Sequence, residues 1–280
     1  MYYDSHVHSA ASPDSVMEPG EAISALKKAG LGIAFTEHVD FAESFQKDPL
    51  ATDAPRGLEG MGDFVCDFKI YPKMYEKFRG EGVTLGLELG LTQAYLSENK
   101  KLAADDYDFI IGSIHTVDGI ELYQACHGKL PKEPFAQQLK TAPTACISRY
   151  LSYAKEMIEL YGFFDSFGHI DYIARYLPQL SQNFSYANFT AEFDALLKAL
   201  AEREIALEIN TCLLGKIDAG KTMLEICCRF AELGGRLCTI GSDAHKVSSL
   251  GRNFKDAKEI AETTGLMVVY YKERKPVRCG

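Results

Sequence analysis

Several features that would decide the reading at once are missing from this sequence. No apolar run approaches the roughly 18–20 residues that a membrane-spanning helix needs. No basic patch or stripe breaks a chain with 30 Lys and Arg against 39 Asp and Glu, so neither nucleic acid nor a membrane surface is the expected partner. A small anionic substrate stays open, because metal ions in a pocket reverse the local field. The eight cysteines include no CxxC pair, and Cys227–Cys228 falls in an apolar helical pattern. Reduced, buried thiols are therefore expected rather than a disulfide framework. There is no GxSxG elbow, and only Cys212, just after Asn210, lies near a strand-end motif, which leaves covalent catalysis without an obvious nucleophile. Short-period repeats, low-complexity tracts and linkers are absent too. The opening MYYDSHVHS already reads as a functional motif rather than a signal peptide, which makes the cytoplasm the expected compartment.

What the chain does have is a regular alternation of strand-like and helix-like runs over 280 residues, 46% of them hydrophobic. Seven strands are expected at residues 2–7, 32–37, 83–89, 108–114, 165–170, 205–210 and 237–242. Amphipathic segments lie at 18–30, 67–80, 144–162, 188–204, 222–235 and 252–265, several closed by glycine (Gly30, Gly80, Gly162, Gly234, Gly265). Residues 267–277 read as a last, edge-like strand. Long loops at 40–66 and 116–143 follow the second and fourth strands and are candidate lids or substrate walls. The whole of 1–280 is taken as one domain. Polar motifs follow all seven strands. An open doubly wound sheet gathers its ligand at one switch point, whereas a barrel brings every strand end to one rim. The expected fold is therefore α/β, a seven-stranded (β/α)7 barrel of TIM-like form.

Six of the seven histidines stand where an expected strand runs out: YYDSHVHS (His6, His8), IAFTEHVD (His38), FIIGSIHT (His115), FGHID (His169) and IGSDAH (His245). Carboxylates in or near the same bursts (Asp4, Asp14, Glu37, Asp40, Glu88, Asp171, Asp243) supply charge for more than one divalent ion. His6 and His8, two apart on a strand, share a face. Any one of these histidines alone would be read as a packing residue; their clustering at five strand ends is what points to a metal-dependent hydrolase. His127, in QACHGK, stands apart and reads as a surface or packing residue, with substrate contact as the alternative.

With HxH, TEH, LELG, GSIH, GHID and GSDAH in this order, the sequence resembles the polymerase and histidinol phosphatase (PHP) family over essentially its whole length. The resemblance implies a distorted, PHP-type form of the seven-stranded barrel with three divalent ions (Zn, Fe or Mn) at its C-terminal rim. It implies that His6 and His8, with Glu88 and Asp243, hold one ion. Glu88 would bridge to a second, also held by His115 and His169. His38 and His245 would hold the third with Asp14, in SPDS, where many members have histidine. That departure softens the third site's preference toward oxygen-loving ions.

Two metals sharing a carboxylate lower the pKa of a shared water and hold hydroxide in line with an electrophile. Three cations around one tetrahedral group suit phosphate better than a planar amide or ester. Arg175, six residues past His169, is the candidate phosphate-binding side chain, since its fork matches phosphate oxygens; a solvated helix arginine is the plain alternative. Catalytic roles fall to Glu88, Asp243, His245 and Arg175. The acid that protonates the leaving alkoxide stays open between a metal-bound water and Asp243. Asp171 could orient His169 or a neighbour, and Glu37 could do the same or meet a substrate amine.

Within the family the closest resemblance is to stand-alone histidinol phosphatases, through the length, the insertion after TEH, GHIDYIARY and GLMVVYYKERKPV. It implies hydrolysis of L-histidinol phosphate to L-histidinol and phosphate, in histidine synthesis. Spacing and composition by themselves support only a small phosphomonoester. Phe41, Glu43, Phe45, Asp48, Asp63 and Phe64, in the first long loop, could receive an imidazole and an amine. Rival readings are a phosphodiesterase or nuclease, which the net charge of −9 disfavours, and a tyrosine-protein phosphatase, which wants an open site. An amidohydrolase would carry a bridging lysine where Glu88 stands. A non-catalytic metal-binding regulatory module would be expected to have lost part of this ligand set.

Overall fold

The computed structural model describes residues 1–41, 64–66, 71–127 and 132–280. The strands are β1 (Tyr3–Val7), β2 (Gly32–Asp40), β3 (Phe64–Val65), β4 (Val83–Gly90), β5 (Phe109–Ser113), β6 (Thr116–Val117), β7 (Ile120–Glu121), β8 (Ser166–Phe167), β9 (Ala206–Asn210), β10 (Leu237–Gly241), β11 (Met267–Lys272) and β12 (Lys275–Arg278). The helices are α1 (Pro19–Lys28), α2 (Tyr71–Tyr75), α3 (Leu96–Leu102), α4 (Leu122–Cys126), α5 (Pro134–Thr141), α6 (Pro143–Tyr161), α7 (Pro178–Asn183), α8 (Thr190–Glu202), α9 (Ile217–Glu232) and α10 (Phe254–Thr264). The main sheet runs β1-β2-β4-β5-β8-β9-β10-β11-β12, parallel up to β11, with β12 antiparallel on β11 and β3 antiparallel on β2. Strands such as β2 and β4 are buried along their whole length, which explains their near-continuous apolar character before the polar C-terminal ends. α6 and α10 stop at Gly162 and Gly265, both left-handed (φ 55° and 72°), a conformation that costs other residues a Cβ clash.

The fold is α/β with a mostly parallel central sheet, and the seven expected strands follow one another in it. The closed barrel needs correction, because β1 and β10 share no ladder. β11 occupies the start of β10, pairing Leu237 with Met267 and Cys238 with Val268. Tyr270 of β11 stacks on Tyr3 of β1 at that end, 3.9 Å between centroids. At the other end the strands meet. Asp243 N donates to His6 O (2.8 Å) and His8 N to Ala244 O (3.0 Å), while Asp4 Oδ1 accepts from Ser242 N (2.8 Å). That seam sets the HxH motif directly against GSDAH.

Other boundaries moved. Residues 267–277 form a hairpin, β11–β12, rather than one strand, because Glu273 and Arg274 turn the chain with φ 49° and 61°. The expected loop at 116–143 carries the β6–β7 hairpin, α4 and α5. Of the other long loop, Glu43, Phe45, Asp48 and Asp63 lie outside the described residues, as does the side chain of Phe64. The helix expected over 67–80 is α2 plus a 3-10 turn at Glu76–Phe78, with 67–70 outside the described residues. The short helices α3, α4, α5 and α7 were not anticipated. No disulfide joins the cysteines, and Cys126, Cys146, Cys227, Cys238 and Cys279 are buried as expected. Among the described residues no helix is long and apolar enough to cross a membrane.

A small buried cluster, Ala34, Phe109, Ile111, Ala206, Val269 and Tyr271, packs apart from the main core. Ala34 shares a face of β2 with His38, and Ala206 shares a face of β9 with Glu208 and Asn210. This cluster therefore floors the space that the polar strand ends enclose.

Candidate metal centre

Glu88, fully buried near the end of β4, is the hub. Its Oε1 lies 2.7 Å from His169 Nε2 and 3.3 Å from His115 Nε2, and accepts from Ser113 Oγ (2.7 Å). Its Oε2 lies 2.9 Å from His38 Nδ1, 3.3 Å from His6 Nε2 and 3.4 Å from His8 Nε2. Asp243 Oδ1 stands 3.6 Å from His6 Nε2 and 3.3 Å from His8 Nε2. Asp243 is left-handed (φ 53°), a conformation aspartate tolerates better than most residues and one that turns the chain out of β10 beside His6. At the outer edge, Asp14 Oδ2 lies 2.9 Å from His245 Nε2 and 3.6 Å from His38 Nε2, and the two imidazole Nε2 atoms are 3.3 Å apart.

All nine residues in the implied ligand set thus come together. Four triads have ligand atoms within 4.8 Å of one another: His6–His8–Glu88, His6–His169–Asp243, His38–Glu88–His115 and His8–His38–His245. The resemblance assigned His38 to the third ion alone; here its two nitrogens face both Glu88 and the Asp14–His245 pair.

The donor set fits divalent metal. His6 Nε2, His8 Nε2 and Glu88 Oε2 are buried with no hydrogen-bond partner, although the oxygen is 3.3 and 3.4 Å from the nitrogens. Buried acceptors turned on one another are unfavourable unless a cation lies among them. Burial, with His38 and His245 alongside, pushes His8 down to about 3, so its imidazole is the neutral form that ligates. For Glu88, burial favours the protonated form, but His6, His115 and His38 outweigh it and hold the carboxyl well below its usual range.

A layer of carboxylates behind the histidines sets their tautomers. Glu208, in the middle of β9, accepts from His6 Nδ1 (2.6 Å), His169 N (2.6 Å) and Asn210 Nδ2 (3.0 Å). Glu208 was missed in the sequence, though its signal was there: a single acid inside the apolar strand IALEIN. Asp40 Oδ1 accepts from His115 Nδ1 (2.8 Å). Both need neighbouring glycines. A Cβ at Gly90 would strike Asp40 Oδ1, and one at Gly241 would strike Glu208 Oε1 and His6 Cβ.

Other expectations change. Glu37 is fully buried and engaged with Ser9 and Ser12, so it does not face a substrate amine. Asp4 ties Ser242 N and Gly251 N at the seam instead of lending charge to the centre. Asp171 does not orient His169: its Oδ1 and His169 Nδ1 are both buried without a partner, and burial raises the Asp171 carboxyl to about 6. Arg175 reaches the centre, with Nη1 2.5 Å from Asp243 Oδ2 and Nη2 3.2 Å from Asn210 Oδ1. Burial works against the charge at Asp243, yet Arg175, His6 and His245 keep its carboxyl well below the usual range. His127 is exposed and donates from Nδ1 to Tyr123 O (2.8 Å), as expected of a surface residue.

A PHP domain model matches residues 4–212. A probable histidinol-phosphatase from Clostridium acetobutylicum is 35% identical over 277 residues, covering 98% of both chains. The histidinol-phosphatase of Lactococcus lactis is 30% identical over 244 residues, 86% of this chain and 83% of that one. A crystal structure of histidinol phosphate phosphatase from Lactococcus lactis, complexed with Zn, L-histidinol and phosphate, superposes with a TM-score of 0.80 at 26% identity over 99% of both chains.

Proposed function

The chain belongs to the PHP domain family, and from that membership we infer that it is a metal-dependent histidinol phosphatase, hydrolysing L-histidinol phosphate to L-histidinol and phosphate. The observation that carries this reading is the set of buried, partnerless ligand atoms around Glu88, in a fold shared with an enzyme that holds zinc, histidinol and phosphate. We take the complement as three divalent ions, with zinc, iron and manganese all compatible with a mixed imidazole–carboxylate set. His6, His8, Glu88 and Asp243 would hold one, His115 and His169 with Glu88 a second, and Asp14, His38 and His245 the third. When bound, such ions supply Lewis-acid charge to the phosphoryl oxygens and activate water for in-line displacement.

The chain's own residues do the rest. Glu208 and Asp40 fix His6 and His115 with Nδ1 protonated, so that Nε2 offers its lone pair inward. Arg175 gives two of its N–H groups to Asp243 and Asn210, and the remaining donors are assigned to the phosphate. The reading covers one folding unit over the whole chain, its sheet a barrel distorted at the β1–β10 seam, and an enzyme working in the cytoplasm.

The test is phosphate release by the metal-loaded protein from L-histidinol phosphate, p-nitrophenyl phosphate and a phosphate diester. A strong preference for the first is expected. Equal rates on all three would remove the substrate assignment and leave a general phosphoesterase. Full activity with fewer than two ions per chain would contradict the multi-metal mechanism.

A further inference from the structure

We propose that Glu37, acting through Ser12, is a positioning residue that fixes the tautomer of His8 and clamps the segment carrying Asp14. The proposal rests on the metal-centre reading above. The Glu37 carboxylate accepts from Ser9 N at both oxygens (3.2 and 3.1 Å), from Ser9 Oγ, and from Ser12 Oγ (2.6 Å). A carboxylate accepts only, so the single hydroxyl proton of Ser12 is committed to Glu37. What Ser12 Oγ has left are lone pairs, and two donors use them: His38 N (3.0 Å) and His8 Nδ1 (3.2 Å). His8 therefore carries its proton on Nδ1. Its Nε2 lone pair faces Glu88 Oε2 (3.4 Å) and Asp243 Oδ1 (3.3 Å).

Ser12 could not impose this alone, because a hydroxyl free to rotate serves either tautomer. Glu37 supplies the direction. Glu37 also grips both ends of the Ser9–Ser12 turn, closed by Ser12 N donating to Ser9 O (2.9 Å). Two residues on stands Asp14, with Oδ2 2.9 Å from His245 Nε2.

The substitution Glu37→Gln tests this. Its amide must present N–H to one of the groups that now donate. Ser12 then turns its proton toward His8 Nδ1 and moves the imidazole proton to Nε2, the ligating position. Zinc affinity of the metal-free protein, by competition with a chromophoric chelator, should fall 10–100-fold in Glu37→Gln and in Ser12→Ala, and recover in Ser12→Thr. Ring 15N shifts of His8 in the zinc-free protein should read Nδ1–H in the wild type and Nε2–H in Glu37→Gln. Wild-type affinity with an unchanged tautomer in Glu37→Gln would overturn the proposal. Should that variant not fold, wild-type affinity in Ser12→Ala would do so. Failure of the wild type itself to bind zinc would instead refute the metal-centre reading.

Discussion

Replacing Glu88 by Gln keeps the shape of the side chain and removes one charge from the point where six groups meet. Five histidine nitrogens and the Ser113 hydroxyl lie 2.7–3.4 Å from its two oxygens. An amide has one acceptor oxygen and one NH2. If the NH2 takes the Oε2 position, it points its protons at the lone pairs of His6 and His8; if it takes the Oε1 position, it confronts His169, His115 and the Ser113 donor. Either orientation fills a ligand position with hydrogen. Loss of a group that merely orients a ligand weakens metal binding 10–100-fold, so loss of this carboxylate should weaken it by at least 100-fold. The consequence can be read without any assay of turnover. At zinc one hundred times the wild-type Kd, binding at one site stabilises the fold by about 2.7 kcal/mol, whereas a site weakened 100-fold gains only about 0.4 kcal/mol. At roughly 2–4 °C per kcal/mol for a chain of this size, zinc should raise the wild-type Tm by about 5–10 °C and the variant's by about 1 °C. Calorimetry with and without zinc measures this, and phosphate release should fall by about 1,000-fold or more, some 4 kcal/mol of barrier. A zinc-induced Tm rise equal to the wild type's would refute the assignment of Glu88 as the shared ligand.

Glu208→Gln should weaken zinc binding about 10–100-fold while leaving the metal-free Tm within a few degrees, because it disturbs the His6 proton but no first ligand; unchanged zinc affinity would count against its orienting role. Arg175→Lys should cut kcat/KM for L-histidinol phosphate by about tenfold or more, since one ammonium cannot bridge Asp243 and Asn210 and still meet phosphate, and a rate within twofold of wild type would contradict this. Glu121 gives a pH test. Burial raises its carboxyl from 4.5 to about 7, despite the N–H groups of Gln124 and Tyr123. Stability tied to its proton is complete below about 4.5 and is lost as pH rises through about 7, a window bounding the effect at about 3 kcal/mol. Glu121→Gln, neutral throughout, should thus gain Tm relative to wild type between pH 5 and 8.5, over a constant offset from one lost capping acceptor; a pH-independent difference would exclude a buried carboxyl at this position.

The residues that gather at the centre were legible because strand ends are short, polar and bounded by apolar runs, so His6, His38, Glu88, His115, His169 and Asp243 mark themselves. The layer behind them was less so. Glu208 lies within a strand, where the pattern gives an inward face but not the partner; its link to His6 crosses 202 positions of chain. Glu37 sits next to His38, yet alternation turns it to the opposite face of β2, so adjacency in sequence misled where periodicity would have helped. The seam was also beyond reach. β11 takes the ladder positions at the start of β10, and a terminal apolar run does not say which strand it will pair with.

The charge of the centre explains how a chain of net charge −9 can serve a phosphate ester. Six carboxylates, Asp14, Glu37, Asp40, Glu88, Glu208 and Asp243, surround it, against the guanidinium of Arg175 and the imidazoles of His6, His38, His115 and His245, whose pKa values neighbouring carboxylates raise against burial. Ligation requires those imidazoles neutral, and the carboxylates then oppose a phosphate dianion in a buried site that little water screens. Divalent ions reverse the sign locally, and three would outweigh the ligand and supporting carboxylates together with help from Arg175. The carboxylates that oppose a phosphate dianion are the same ones that would hold such cations, so a phosphomonoester would be admitted by the loaded centre and not by the chain's overall charge.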